Sequence, residues 1–133
     1  GGPVLWNHLT TKDFVTYENR GPALFPDSDL DSSGAYSGSA FMHDGKIHYF
    51  YTGNVKHFDR DDYDYVLTGR DQNQIHMVTE NPDKLGEKHI AVGPVDYPDD
   101  ISTHVRDPKI LEHDGIYYMV LGARTKDDRG CAY

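Results

Sequence analysis

Short stretches of alternating apolar and polar residues run along the whole chain, separated by clusters of glycine, proline, aspartate and asparagine. Period-two alternation bounded by turn formers is the mark of half-buried β-strands. On this reading residues 5–11 form a strand with Trp6 and His8 on one side, and residues 17–24 a second extended piece interrupted at Gly21-Pro22. The run from Pro26 to Gly34 is dense in turn formers and predicts a solvated loop. Its acidic and hydroxyl side chains invite calcium, but the EF-hand spacing is absent. Residues 37–41 and 47–51 predict a hairpin, with Asp44-Gly45 at its tip. Residues 56–65 read as a charged, exposed excursion, followed by strands at 74–79 and 89–92. A second hairpin turns at His113-Asp114-Gly115 between 110–111 and 116–121, and another strand begins near Gly130. No segment shows convincing helical periodicity, so the predicted class is all-β.

Aligning the two hairpin tips exposes an internal repeat with an offset of about 70 residues. It places Ser37 on Asp107, Ser39 on Lys109, Phe41 on Leu111 and Tyr49 on Met119. Thr10 to Gly21-Pro22 resembles Thr79 to Gly93-Pro94 with a small insertion. A repeated unit of four antiparallel strands is the pattern of β-propeller blades. The predicted content is the end of one blade, one whole blade and the start of a third. That is part of a propeller rather than a closed ring. Its open sheet edges predict self-association of the fragment.

Composition narrows the function. The 133 residues have the length of one domain, and a net charge of −9 argues against nucleic acid and against an anionic membrane surface. A single cysteine, Cys131, excludes an internal disulfide and fits a reducing compartment, so a cytoplasmic location is expected. Strand packing should bury it. The eight histidines lack zinc-site spacing and read as turn and surface residues; His104, near the pocket mouth, reads as part of a solvated loop, with contact to substrate or water as the alternative; no metal and no cofactor are expected.

The stretch Arg106-Asp107-Pro108-Lys109 carries the candidate chemistry. A residue before proline is pushed towards extended backbone, so Asp107 should enter a strand in that conformation. Alone, the pair reads as a surface ion pair at a loop–strand junction. The repeat changes that reading, because Ser37 and Asp107 then sit at the mouths of equivalent inner strands, which converge on a propeller axis.

Four motifs in order resemble glycoside hydrolase family 32, the invertases, levanases and sucrose-6-phosphate hydrolases. They are Tyr36-Ser37-Gly38-Ser39-Ala40, Tyr51-Thr52-Gly53-Asn54, Arg106-Asp107-Pro108-Lys109 and Met119-Val120-Leu121-Gly122-Ala123-Arg124. Thr68-Gly69-Arg70 with Asn73-Gln74 leans towards the bacterial sucrose and sucrose-6-phosphate branch. The resemblance implies a five-bladed propeller, with residues 1–133 a fragment of its catalytic domain. It also implies retaining hydrolysis of β-fructofuranosides by two carboxyl groups roughly 5–5.5 Å apart. Asp107 would be the third carboxylate, the transition-state stabiliser. Arg106 would orient the substrate, and Ser37 and Tyr36 would line the fructose subsite. Lys56, His57 and Arg70 are candidates to meet a substrate phosphate. The family's Asn-Asp-Pro-Asn nucleophile motif does not occur, and Glu80, Glu87 and Glu112 lack the Glu-Cys context of its acid/base. Trp6 then reads as a packing residue. The fragment alone is expected to be inactive. Competing readings are a non-catalytic fructan-binding propeller and an arabinanase-like sister glycosidase.

Overall fold

The computed structural model describes residues 3–133 and arranges them in three antiparallel sheets taken in chain order. The first sheet pairs β1 (Trp6–Thr10) with β2 (Glu18–Leu24). The second holds β3 (Gly34–His43), β4 (Lys46–Lys56), β5 (Arg70–Thr79) and β6 (His89–Val92). The third holds β7 (Ile101–His113), β8 (Ile116–Thr125) and β9 (Gly130–Ala132). Among the described residues the helical content is one 3-10 turn, Pro94–Asp96. The chain is all-β, as its alternation predicts.

The repeat is visible in the strand registers. Ser39 pairs with Phe50 and Ala40 with Tyr49; 70 residues on, Lys109 pairs with Val120 and Ile110 with Met119. β3 and β7 both carry a register shift, between Ala35 and Gly38 and between Arg106 and Lys109, one residue apart under the 70-residue offset. Such bulges re-aim side chains and bend a strand. Both hairpins turn as expected: Asp44 and Gly45, like Asp114 and Gly115, have φ between +47° and +74°. That is the signature of a tight turn whose twist matches its strands.

Alternation on β4 and β5 explains how the second sheet is held between its neighbours. Odd-numbered Tyr51, Ile75 and Met77 face the first sheet, where they form a buried cluster with Leu24 and Ala35. Trp6 packs against this cluster, edge-on to Tyr51, and its Nε1 donates to the Tyr36 carbonyl at 2.8 Å. Even-numbered Thr52, Gln72 and Gln74 make their hydrogen bonds on the side of the third sheet. The third sheet has its own smaller cluster of Val105, Leu121 and Ala123. One seam is therefore apolar and the other substantially polar.

Two connections depart from the sequence reading. The segment from Pro26 to Gly34 exposes Asp27, Asp29 and Ser32 as a solvated loop would, but it is anchored inward by Asp31, which is fully buried. Tyr51 and Lys88, distant in sequence, supply the hydrogen bonds that make this burial tolerable. The charged excursion does expose Asp59, Asp61 and Asp62. Its end nonetheless docks on β7: the Tyr65 carbonyl accepts from His104 Nε2, and just beyond it the Thr103 N–H and hydroxyl both donate to the Val66 carbonyl, at 3.0 and 2.8 Å.

Candidate active site

Asp107 occupies the bulge of β7 and departs from the extended backbone expected before proline: its φ is +61°. The left-handed region is costly for most residues and tolerated by aspartate. The bulge supplies the reason. With Asp107 and Pro108 taken out of register with β8, the Asp107 N–H donates across the seam to Thr52 Oγ1 at 3.0 Å. The side chain is left exposed while Pro108 beneath it is buried.

Arg106 is half-buried beside it, and its guanidinium donates to His104 Nδ1. An accepting Nδ1 leaves the His104 proton on Nε2, which donates to the Tyr65 carbonyl at 3.2 Å. Burial pushes this imidazole below its ordinary range, and Arg106, Arg70 and Arg124 push it the same way. His104 is thus a buried strand residue that orients Arg106, not part of a solvated loop.

An open cavity of about 340 Å³ is lined by His104, Arg106 and Asp107 of β7, Gly122 and Arg124 of β8, and Cys131 of β9. Gly122 pairs with Arg106, and its missing side chain leaves that floor open. Cys131 is exposed, contrary to the buried packing expected of it, because β9 is a short outer strand exposed throughout. The cavity thus combines one exposed carboxylate, which can accept sugar hydroxyls, with two guanidiniums that are each already engaged, Arg106 with His104 and Arg124 with Asp128 at 2.7 Å.

Ser37 and Tyr36 sit in the matching bulge of β3 and outside the lining of this cavity. Ser37 is exposed and Tyr36 half-buried. The two inner strands meet where Ser39 Oγ donates to the Pro108 carbonyl at 2.7 Å. The phosphate candidates fare differently. Arg70 is buried under the Tyr65 ring, 4.2 Å from its centroid, and His57 is paired with Asp71 at 2.9 Å. Neither they nor Lys56 line the cavity.

Sequence reasoning places Thr52 and Gln74 within family-like motifs but gives them no role, and it passes over Gln72. The local signal for the two amides is their period-two spacing on β5, running into apolar Ile75 and Met77. A second cavity of about 310 Å³ lies between the hairpins, walled by rings such as Phe41, His48, Phe50 and Tyr117. No carboxylate lines it, so the polar cavity is the better candidate.

The family model of the glycosyl hydrolases family 32 N-terminal domain matches residues 1–133. The sucrose-6-phosphate hydrolase of Bacillus subtilis (strain 168) is 35% identical over 131 residues, which are 98% of this chain and 25% of that protein. The solved sucrose-6-phosphate hydrolase of Lactobacillus gasseri superposes with a TM-score of 0.77 at 37% identity, over 92% of this chain and 23% of that one. A Bombyx mori β-fructofuranosidase mutant solved with sucrose gives 0.72 at 24% identity, over 97% and 25%, a likeness of fold. The chain spans about a quarter of the length of these relatives. With the family model matching from end to end, the chain belongs to glycosyl hydrolase family 32.

Proposed function

We propose that this chain is part of a retaining β-fructofuranosidase with a five-bladed propeller, acting on sucrose 6-phosphate in preference to sucrose. The observation that carries the reading is Asp107, exposed on a bulge in an open cavity that Arg106 and Arg124 also line. Its carboxylate would accept hydroxyls of the fructosyl unit and stabilise positive charge as the glycosidic bond breaks. Arg106, fixed by His104, would orient the sugar, with Ser37 and Tyr36 contributing to the fructose subsite from the neighbouring inner strand. Parts of the full-length enzyme outside this chain would supply the nucleophile and the acid/base, roughly 5–5.5 Å apart. The phosphorylated substrate is favoured because two guanidiniums line the cavity of a chain whose net charge is −9, Arg124 keeping N–H groups beyond the one it gives Asp128. Arg106 and Arg124 thereby replace Lys56, His57 and Arg70 as the cations placed to meet a phosphate.

The test is Asp107→Asn in the full-length enzyme, assayed on both sugars. The kcat should fall about a hundred-fold or more with KM little changed, since the carboxylate's stabilising effect is felt in the transition state. Activity within a few-fold of the parent would remove Asp107 from the mechanism. Equal turnover of sucrose and its 6-phosphate by the parent would remove the phosphate preference. Release of arabinose from arabinan, or tight fructan binding without cleavage, would replace the reading altogether.

A further inference from the structure

β7 reaches the cavity with one of its edges turned towards the second sheet, and four of its backbone groups there are held by side chains rather than by another strand. The Val105 N–H donates to Gln72 Oε1 at 2.9 Å, and the Val105 carbonyl accepts from Gln74 Nε2, also at 2.9 Å. The Asp107 N–H donates to Thr52 Oγ1, and the Pro108 carbonyl accepts from Ser39 Oγ. Thr52 donates onward to Gln74 Oε1 at 2.8 Å, and Gln74 Nε2 also reaches the Tyr97 hydroxyl at 3.0 Å. Thr52, Gln72 and Gln74 are almost wholly buried, so none of them can touch a sugar.

We infer that these side chains of the second sheet are positioning residues for Asp107: Thr52, locked by Gln74, holds the left-handed backbone that aims its carboxylate into the cavity. Three observations converge. Asp107 takes φ +61° inside a strand, whereas Asp44 and Asp114 take positive φ at hairpin tips, so contacts around Asp107 must hold that conformation against the extended one. The bulge has removed the ladder bonds that would otherwise set this stretch. The bonds that hold the bulged pair come instead from the buried Thr52 hydroxyl on β4, itself fixed by the buried Gln74 amide on β5, and from the half-buried Ser39 hydroxyl on β3. The inference rests on the role proposed for Asp107.

Thr52→Val in the full-length enzyme keeps the shape and removes the hydroxyl. The kcat on sucrose 6-phosphate should fall about 10- to 100-fold, KM staying within about two-fold, as expected for a group misplaced by a fraction of an ångström. Thr52→Ser, which keeps the hydroxyl, should restore most of the rate. In combination, Thr52→Val should add little to Asp107→Asn, because both act through one carboxylate. A folded Thr52→Val enzyme with undiminished kcat, or a loss that multiplies fully with that of Asp107→Asn, overturns the inference. If Thr52→Val does not fold, Ser39→Ala at the half-buried end of the same bulge takes its place, with full kcat again the overturning result. Should Asp107→Asn itself be harmless, it is the reading of the site that fails, a distinguishable outcome.

Discussion

Asp31 shows how a single residue can carry the fit of a whole connection. Its carboxylate is fully buried and accepts from the Ser28 N–H and hydroxyl, the Tyr51 hydroxyl and Lys88 Nζ, at 2.6 to 3.0 Å. Burial alone would raise its pKa, but the bonds from Lys88, Ser28 and Tyr51 outweigh that and hold it below the usual carboxylate range. Burial and the same carboxylate push the Tyr51 hydroxyl the other way, above its ordinary range. A carboxylate with a depressed folded pKa contributes stability at pH above its unfolded value of about 4, and loses it as pH falls through the folded value. Urea midpoints of the full-length protein should therefore decline below about pH 4, and Asp31→Asn should flatten that part of the profile. Lys88→Met removes the charge partner and leaves a buried carboxylate unpaired. It should cost about 3 kcal/mol at neutral pH, measured by the same denaturation. A midpoint unchanged by Lys88→Met would show that the pair contributes nothing.

At the scale of the element, glycine in β3 is a matter of space, whereas glycine in the hairpin tips is a matter of backbone. A Cβ on Gly38 would lie 2.0 Å from the Phe50 carbonyl oxygen and 2.5 Å from Tyr51 Cα, both backbone atoms of β4. Gly38→Ala must push two paired strands apart, and should destabilise by about 2–3 kcal/mol. Gly45 has φ +73° and open space around it, so Gly45→Ala should cost only about 1 kcal/mol. Thermal unfolding of the two variants side by side checks the ordering; equal shifts would mean the Gly38 contact relaxes freely. The same contrast explains what was legible in the chain. Asp44-Gly45 and Asp114-Gly115 announce their turns locally, and the alternation of β4 and β8 needs nothing from elsewhere. The bulges at Ser37 and Asp107 do not announce themselves: Asp107 owes its φ to a hydroxyl 55 residues away. Asp31 likewise depends on Lys88, 57 residues on, so its loop reads as solvated until that partner is known. The Arg106-Asp107-Pro108 motif pointed to the cavity, but its supports at Thr52, Gln72 and Gln74 are contacts between sheets, to which periodicity is blind.

For the whole molecule, surface area decides what the three sheets need. The chain exposes 8395 Å². A folded monomer of its mass, 15.1 kDa, is expected to expose about 7,100 Å². The excess includes apolar side chains on several elements: Leu9 on β1, Ile90 on β6, and Ile116, Tyr117 and Tyr118 on β8. Among the described residues the first sheet has two strands, so each offers an unpaired edge, and β9 pairs with β8 alone. Exposed strand edges and apolar faces recruit further chains. In the propeller proposed above, the neighbouring blades would cover these faces and bring the other carboxylates to Asp107. The 133-residue chain prepared alone should therefore sediment as concentration-dependent oligomers and release no fructose from sucrose 6-phosphate. Adding the remainder of the full-length enzyme as a separate polypeptide should shift it to a single heterodimeric species, with activity returning in proportion. A monomer at high micromolar concentration would show that the exposed edges are already blunted. It would also confine the cover supplied by the rest of the enzyme to the cavity itself.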